Sequence, residues 1–181
     1  MHAVEVLRED HDRIAALVGR LALAEEDDPR LFDLLRSELT VHLLAEDNVF
    51  LPQVEEAIED GLRAMRGFFD GDALAGSGEI IAGAYENHRE IRSLLARGPR
   101  DGIGDLKLLV ERQVELEESL YPRAEKVLEE EDFERIGDLI EHCKWQVRGL
   151  AQAKLASSSS FRPPDRTGLL SNGGSAPLER A

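Results

Sequence analysis

Cysteine occurs once in these 181 residues, as Cys143, so the chain can form no internal disulfide, and a single thiol fits a reducing cytoplasm. Aromatic residues make up only 5%, which leaves Leu, Ile, Val and Ala to fill a core. Basic residues are the minority, 22 against 37 acidic ones, for a formal net charge of −15. Such a field repels phosphate backbones, so neither nucleic acid nor an anionic membrane is an expected partner. No apolar run approaches the roughly 20 residues that cross a bilayer. The start, Met1-His2-Ala3-Val4-Glu5, lacks a basic segment followed by an apolar run, so no signal peptide is expected. No segment alternates like a strand, and no glycine-rich phosphate loop, nucleophile elbow or Ser/His/Asp order stands out. These absences describe a soluble, cytoplasmic protein of one domain with room for a tail.

What is present is helical spacing. Val4, Leu7, His11, Ile14, Val18 and Leu21 make one stripe of a first helix. Asp28-Pro29 is a cap and first-turn pair for a second helix, with Leu31, Leu35, Leu39, His42, Glu46 and Val49 along one side. Pro52 is expected to bend or end it, because proline lacks the amide that the next turn requires, and residues 53–66 read as a short extension. Gly71 and Gly76-Ser77-Gly78 mark a mid-chain break. A third helix carries Ile81, Ala84, His88, Ile91 and Leu95 and stops at Gly98-Pro99. A fourth carries Leu106, Leu109, Gln113, Leu116 or Glu117, and Leu120; a fifth fits Phe133, Ile136, Ile140, Cys143, Val147 and Leu150. The Ser, Pro and Gly content after it predicts a disordered tail over 157–181.

Two segments recur in order. Glu9-Asp10-His11 through Leu17 returns as Glu86-Asn87-His88 through Leu94. His42 through Asp47, with Phe50 and Pro52, returns as Gln113 through Glu118, with Tyr121 and Pro122. Stripes that should be wholly apolar are thus interrupted by His11, His42 with Glu46, His88, and Gln113 with Glu117. Burying such groups is unfavourable unless each finds a partner, and an ion between the helices would partner them together. Residues four apart sit one turn from each other on the same face, so His42 and Glu46 reach one point, as do Gln113 and Glu117. Nitrogen and carboxylate donors without thiolate suit Fe, Mn or Zn, and carboxylates from facing helices are what di-metal sites in bundles use.

With these motifs the chain resembles the hemerythrin-like, or HHE cation-binding, domain over roughly residues 1–128. The resemblance implies an up-down-up-down four-helix bundle around a non-haem di-iron centre. It implies that His11 and His42 hold one iron, that His88 serves the other, and that Glu46 and Glu117 bridge them. A domain of 1–128, an accessory helix over 129–156 and the tail follow. Two departures stand out: Gln113 occupies a place that is usually histidine, and Arg92 lies one turn after His88, where some members carry a further ligand. A neutral amide is a poor iron ligand and a guanidinium opposes a cation, so the His11/His42 subsite reads as complete and the His88 subsite as impaired. Gln113 reads more readily as a hydrogen-bonded core residue than as a ligand.

Glu9, Glu86, Asp47 and Glu118 are candidates for the surface or for holding a ligating imidazole. Tyr121 is expected to pack at the end of the bundle, with a hydrogen bond toward the metal as its other role. His2 is expected to be idle at a frayed end. His142 and Cys143 point about 100° apart on a helix and make a poor ligand pair, and Cys143 reads as core. The runs Glu25-Glu26-Asp27-Asp28 and Glu129-Glu130-Glu131-Asp132 read as solvated helix ends.

By resemblance the chain binds iron and, through it, O2, NO or peroxide, for sensing, oxygen binding or iron handling. A peroxide-decomposing enzyme is the catalytic version, but no general acid or base can be named for it. The competing readings are a mononuclear Zn or Fe site at His11, His42, Glu46 and Glu117, and a metal-free bundle that binds a protein partner or a second copy.

Overall fold

The computed structural model describes residues 1–24, 28–64, 74–98 and 102–159. Glu25, Glu26 and Asp27 of the first acidic run, Gly71, Pro99 and the expected tail beyond residue 159 lie outside the described residues. The chain divides into units Met1–Arg148 and Gly149–Ala181, and the bundle belongs to the first.

The architecture is all-α. Its elements are α1 (Ala3–Ala22), α2 (Pro29–Ala45), a π turn (Glu46–Phe50), α3 (Leu51–Ala64), α4 (Ser77–Arg97), α5 (Ile103–Ala124) and α6 (Glu130–Ser159). The helix α1 packs between α2 and α5, and α4 closes the ring against the same two, which makes the expected four-helix bundle. The start of α2 forms as its sequence dictates. The Asp28 carboxylate accepts from the amides of Arg30 and Leu31 at 3.1 and 3.0 Å, and Pro29 sits in the first turn.

Pro52 does not end the second helix. The chain widens for one turn, with the Leu51 amide donating to the carbonyl of Glu46, five residues back, and then runs on as α3. A proline ring clashes with the carbonyl four residues before it and has no amide to give. The widened turn relieves the clash, and the helix passes through Pro52 unbroken. Such turns cluster at functional sites, and this one carries Glu46 and Asp47.

Two apolar clusters fill the bundle. One joins the start of α1 to α3, the start of α4 and the end of α5, and includes Leu7, Phe50, Leu51, Val54, Leu120 and Tyr121. The other joins the second half of α1 to α2, the second half of α4 and the start of α5, and includes Ile14, Leu35, Leu39, Ile91 and Val110. The buried polar side chains His11, His42, Glu46, His88, Gln113 and Glu117 belong to neither.

Phe133, Ile136 and Ile140 of α6 join the first cluster, as their spacing predicts. Gly137 makes this approach possible, since a Cβ there would lie 1.9 Å from the Met1 carbonyl oxygen. The expected stripe of this helix is broken by Lys144, which takes an inward position and is 2% exposed. A lysine buried that deeply needs a counter-charge, and it has one beside the polar layer. His2 is not idle either. Its Nδ1 accepts from the Val4 amide at 3.3 Å, capping α1, and its ring stacks on Phe133 with centroids 4.6 Å apart.

Candidate metal centre

Five helical segments aim side chains at one buried point. The helix α1 supplies His11, α2 supplies His42, the π turn Glu46, α4 His88, and α5 Gln113 and Glu117. Glu46 is the hub. Its Oε1 lies 3.0 Å from His42 Nε2 and 3.9 Å from His11 Nε2, while its Oε2 lies 3.0 Å from His88 Nε2. Glu117 Oε2 is 3.1 Å from His11 Nε2.

Among the described residues, His11, His42, Glu46 and Glu117 each offer a ligand atom, and these atoms all lie within 4.8 Å of one another. Nitrogen and oxygen atoms that share an ion at about 2.0–2.2 Å stand roughly 3 to 4 Å apart, as do His42 and Glu46 at 3.0 Å, His11 and Glu117 at 3.1 Å and His11 and Glu46 at 3.9 Å. Both ring nitrogens of His11, Glu46 Oε1 and His88 Nε2 are buried without a hydrogen-bond partner. Leaving such atoms unpaired costs on the order of 1–3 kcal/mol each. An ion among these side chains would partner Glu46 Oε1 and one ring nitrogen of His11, which makes the residues present a fit for one.

Charge in the layer is divided unequally. Burial alone would discharge Glu46, but the imidazoles of His42, His11 and His88 outweigh it and hold this carboxyl well below the ordinary range. Burial and the Glu46 charge together push Glu117 up. Burial opposes a charged His11, yet Glu117 and Glu46 overcome it and raise that imidazole to about 9. His88 reaches about 9 in the same way, against burial, through Asp47 and Glu46. His42 is raised too, with Glu46 prevailing over desolvation.

Two acids stand behind the imidazoles. Asp47 Oδ1 lies 2.6 Å from His88 Nδ1, so of the four candidate acids Asp47 is the one that meets an imidazole. Glu9 and Glu86 are exposed, and Glu118 pairs with Arg8 at 2.7 Å. The other acid, Asp10, was not singled out from sequence: its Oδ2 is 3.4 Å from His42 Nδ1. Asp10 is also where buried Lys144 finds its counter-charge, at 2.9 Å, with Glu141 as a second partner at 2.5 Å. An acid behind a ligating imidazole fixes its tautomer and orientation. An Asp10→Asn chain is therefore expected to bind metal about tenfold more weakly, and adding Lys144→Met should recover thermal stability but not affinity. Full metal affinity in the double variant, measured by calorimetric titration, would show that Asp10 orients nothing.

Arg92 is held by an acid. Its guanidinium pairs with Asp47 and reaches the Leu43 carbonyl at 3.4 Å, so the repulsion expected from sequence is spent on an acid. Gln113 is a buried, hydrogen-bonded amide, with Nε2 2.5 Å from Glu117 Oε1. Tyr121 does more than pack, since its hydroxyl donates to Glu117 Oε2 at 2.9 Å, and its pKa is raised by burial and by that carboxylate. His142 stacks on Trp145 and faces Gln146 on the exposed side of α6, and Cys143 is half-buried against the core.

Beside the layer lies a cavity of about 10 Å³, the size of one water-like molecule. His11, His42 and Gln113 form its polar end, and Ile14, Leu39, Leu43, Ile91, Val110 and Val114 its apolar wall.

The family model of the hemerythrin HHE cation-binding domain matches this chain over residues 2–98. That span holds His11, His42, Glu46 and His88, and stops short of Gln113 and Glu117, which the fold brings to the same point. No curated protein and no solved structure matches the chain.

Proposed function

The chain belongs to the hemerythrin HHE cation-binding domain family, and from that premise we propose that it is a cytoplasmic non-haem iron protein that receives a small diatomic molecule or peroxide beside its metal. The observation that carries this reading is the buried meeting of His11, His42, Glu46 and Glu117, whose ligand atoms fall within 4.8 Å of one another while several have no hydrogen bond to make. Two imidazoles and two carboxylates, with no thiolate, are donors that suit Fe, Mn or Zn. Bound iron supplies redox capacity and a coordination position for a small ligand.

The protein's own part is to orient, to dry and to limit. Asp10 and the π turn orient His42 and Glu46. The two apolar clusters keep bulk water from the layer. The small cavity limits what fits beside His11 and His42, and its apolar wall favours an uncharged guest such as O2 or NO. The test separates metal from guest. Val110 lines the cavity and is not one of the ligand-bearing residues, and overfilling a packed site costs about 1–3 kcal/mol. A Val110→Phe chain should keep its iron loading while NO binding to the ferrous protein weakens at least about tenfold. Unchanged NO affinity by optical titration would remove the cavity from the proposal.

A reading as a zinc site is favoured by the same donor set. Competitive loading with Fe(II) and Zn(II), followed by elemental analysis, decides between them.

A further inference from the structure

One carbonyl fixes the direction of a whole chain of amides. The Leu109 carbonyl oxygen can only accept, and Asn87 Nδ2 donates to it at 2.8 Å. The same nitrogen has one hydrogen left, and it points at Gln113 Oε1, 3.0 Å away. The oxygen of Gln113 is therefore turned outward to Asn87. Its nitrogen is turned inward, 2.5 Å from Glu117 Oε1 and 3.5 Å from Glu46 Oε2. Both of those acceptors are carboxylates, so the donor and acceptor roles agree along the entire path.

The oxygens that Gln113 takes are particular ones. Glu46 Oε1 and Glu117 Oε2 face His11 and His42. Glu46 Oε2 lies 3.0 Å from His88 Nε2, Glu117 Oε1 meets the Gln113 amide, and these are the two oxygens left for a second, bridged ion. An amide NH2 presents hydrogens to that space and has no lone pair to give a metal. His88 cannot compensate alone, since a single imidazole with no free carboxylate oxygen is one ligand.

We propose that the Asn87–Gln113 amide pair fills the second cation position with hydrogen-bond donors, so that this chain holds one metal ion, at His11, His42, Glu46 and Glu117, in place of a bridged pair. The inference rests on the cation-binding reading above. It assigns Gln113 the role of setting metal number and Asn87 that of aiming Gln113.

Anaerobic Fe(II) titration of the full chain, with iron counted per chain after desalting, tests it. One equivalent is expected for the unaltered protein. A Gln113→His chain places an imidazole where the NH2 stands and should take up a second equivalent. Gln113→Leu removes the donor without supplying a ligand and should stay at one. Asn87→Ala releases the Gln113 amide to turn its oxygen inward and should admit a second equivalent more weakly than Gln113→His does. If Gln113→His fails to give a helical circular dichroism spectrum, the near-isosteric Gln113→Glu supplies the ligand instead, again with two equivalents expected. Two equally tight equivalents in the unaltered chain, or one equivalent in both folded ligand-bearing variants, would overturn the inference and leave cation binding intact. No iron or zinc bound by the unaltered chain would overturn the cation-binding reading and this inference with it.

Discussion

A Glu46→Ala chain is expected to bind Fe(II) more than about 100-fold more weakly than the unaltered protein, beyond the roughly 10–100-fold that loss of an outer partner costs. Glu46 is fully buried and meets His42 and His88 at 3.0 Å each and His11 at 3.9 Å. Among the described residues no other carboxylate touches all three imidazoles, so none replaces it. His42→Ala should follow in direction, because it removes a ring nitrogen from the set that lies within 4.8 Å. His142→Ala and Cys143→Ser should leave affinity unchanged, since His142 faces solvent on α6 and Cys143 packs against the core with its sulfur toward the Leu44 carbonyl. Titration calorimetry reads all four. A Glu46→Ala affinity within tenfold of the unaltered chain, or a loss in His142→Ala as large as in His42→Ala, would sink the assignment.

Metal affinity should fall about 50-fold between pH 9 and pH 7 from His11 alone. Its imidazole titrates at about 9 in the metal-free protein, and a metal binds only the neutral ring, so each proton that must leave weakens binding by nearly tenfold per pH unit below that value. The raised pKa of His42 steepens the slope further. Stability of the metal-free fold runs the opposite way. An imidazole whose pKa is raised on folding contributes its full stabilisation below the unfolded value near 6.5 and loses it as pH climbs through about 9. Chelated protein should therefore melt progressively lower from pH 6.5 to pH 9. The gap between loaded and chelated protein should widen over the same range, because a ligand bound only by the native state stabilises it according to its affinity. Parallel melting curves at all pH values, with and without chelator, would show that the imidazoles do not exchange protons for metal.

The inward faces were open to reading because they obey the helical repeat. His11, His42, Glu46, His88 and Glu117 interrupt apolar stripes in register with Leu7, Leu39, Ile91 and Leu120, and burial of the stripe carried them inside. Periodicity carries no such information about groups that meet across helices. Asp10 lies next to His11 in sequence, yet its role comes from His42 on another helix and from Lys144, 134 residues along. Asn87 likewise matters through Leu109 and Gln113, 22 and 26 residues away. Arg92 has the spacing of a ligand position, and only the place of Asp47 in the π turn reveals the acid that it pairs with instead. Pro52 misleads for a related reason: a local rule about one lost amide says nothing of a turn that widens to absorb it.

Counted along the chain, the π turn is one residue more than an α-helix would use between His42 and Pro52. Each residue of a helix rotates the next by 100°, so the surplus resets the phase of everything that follows. In α2 the inward positions are those of Leu35, Leu39 and His42; past the turn, Leu51, Val54 and Ile58 face the core instead. The length of this stretch is thus part of its chemistry. Asn48 is exposed within the turn and donates back to the Leu44 carbonyl at 2.6 Å. The extra residue lets one helix aim Glu46 at three histidines and still seat its next turns in the core.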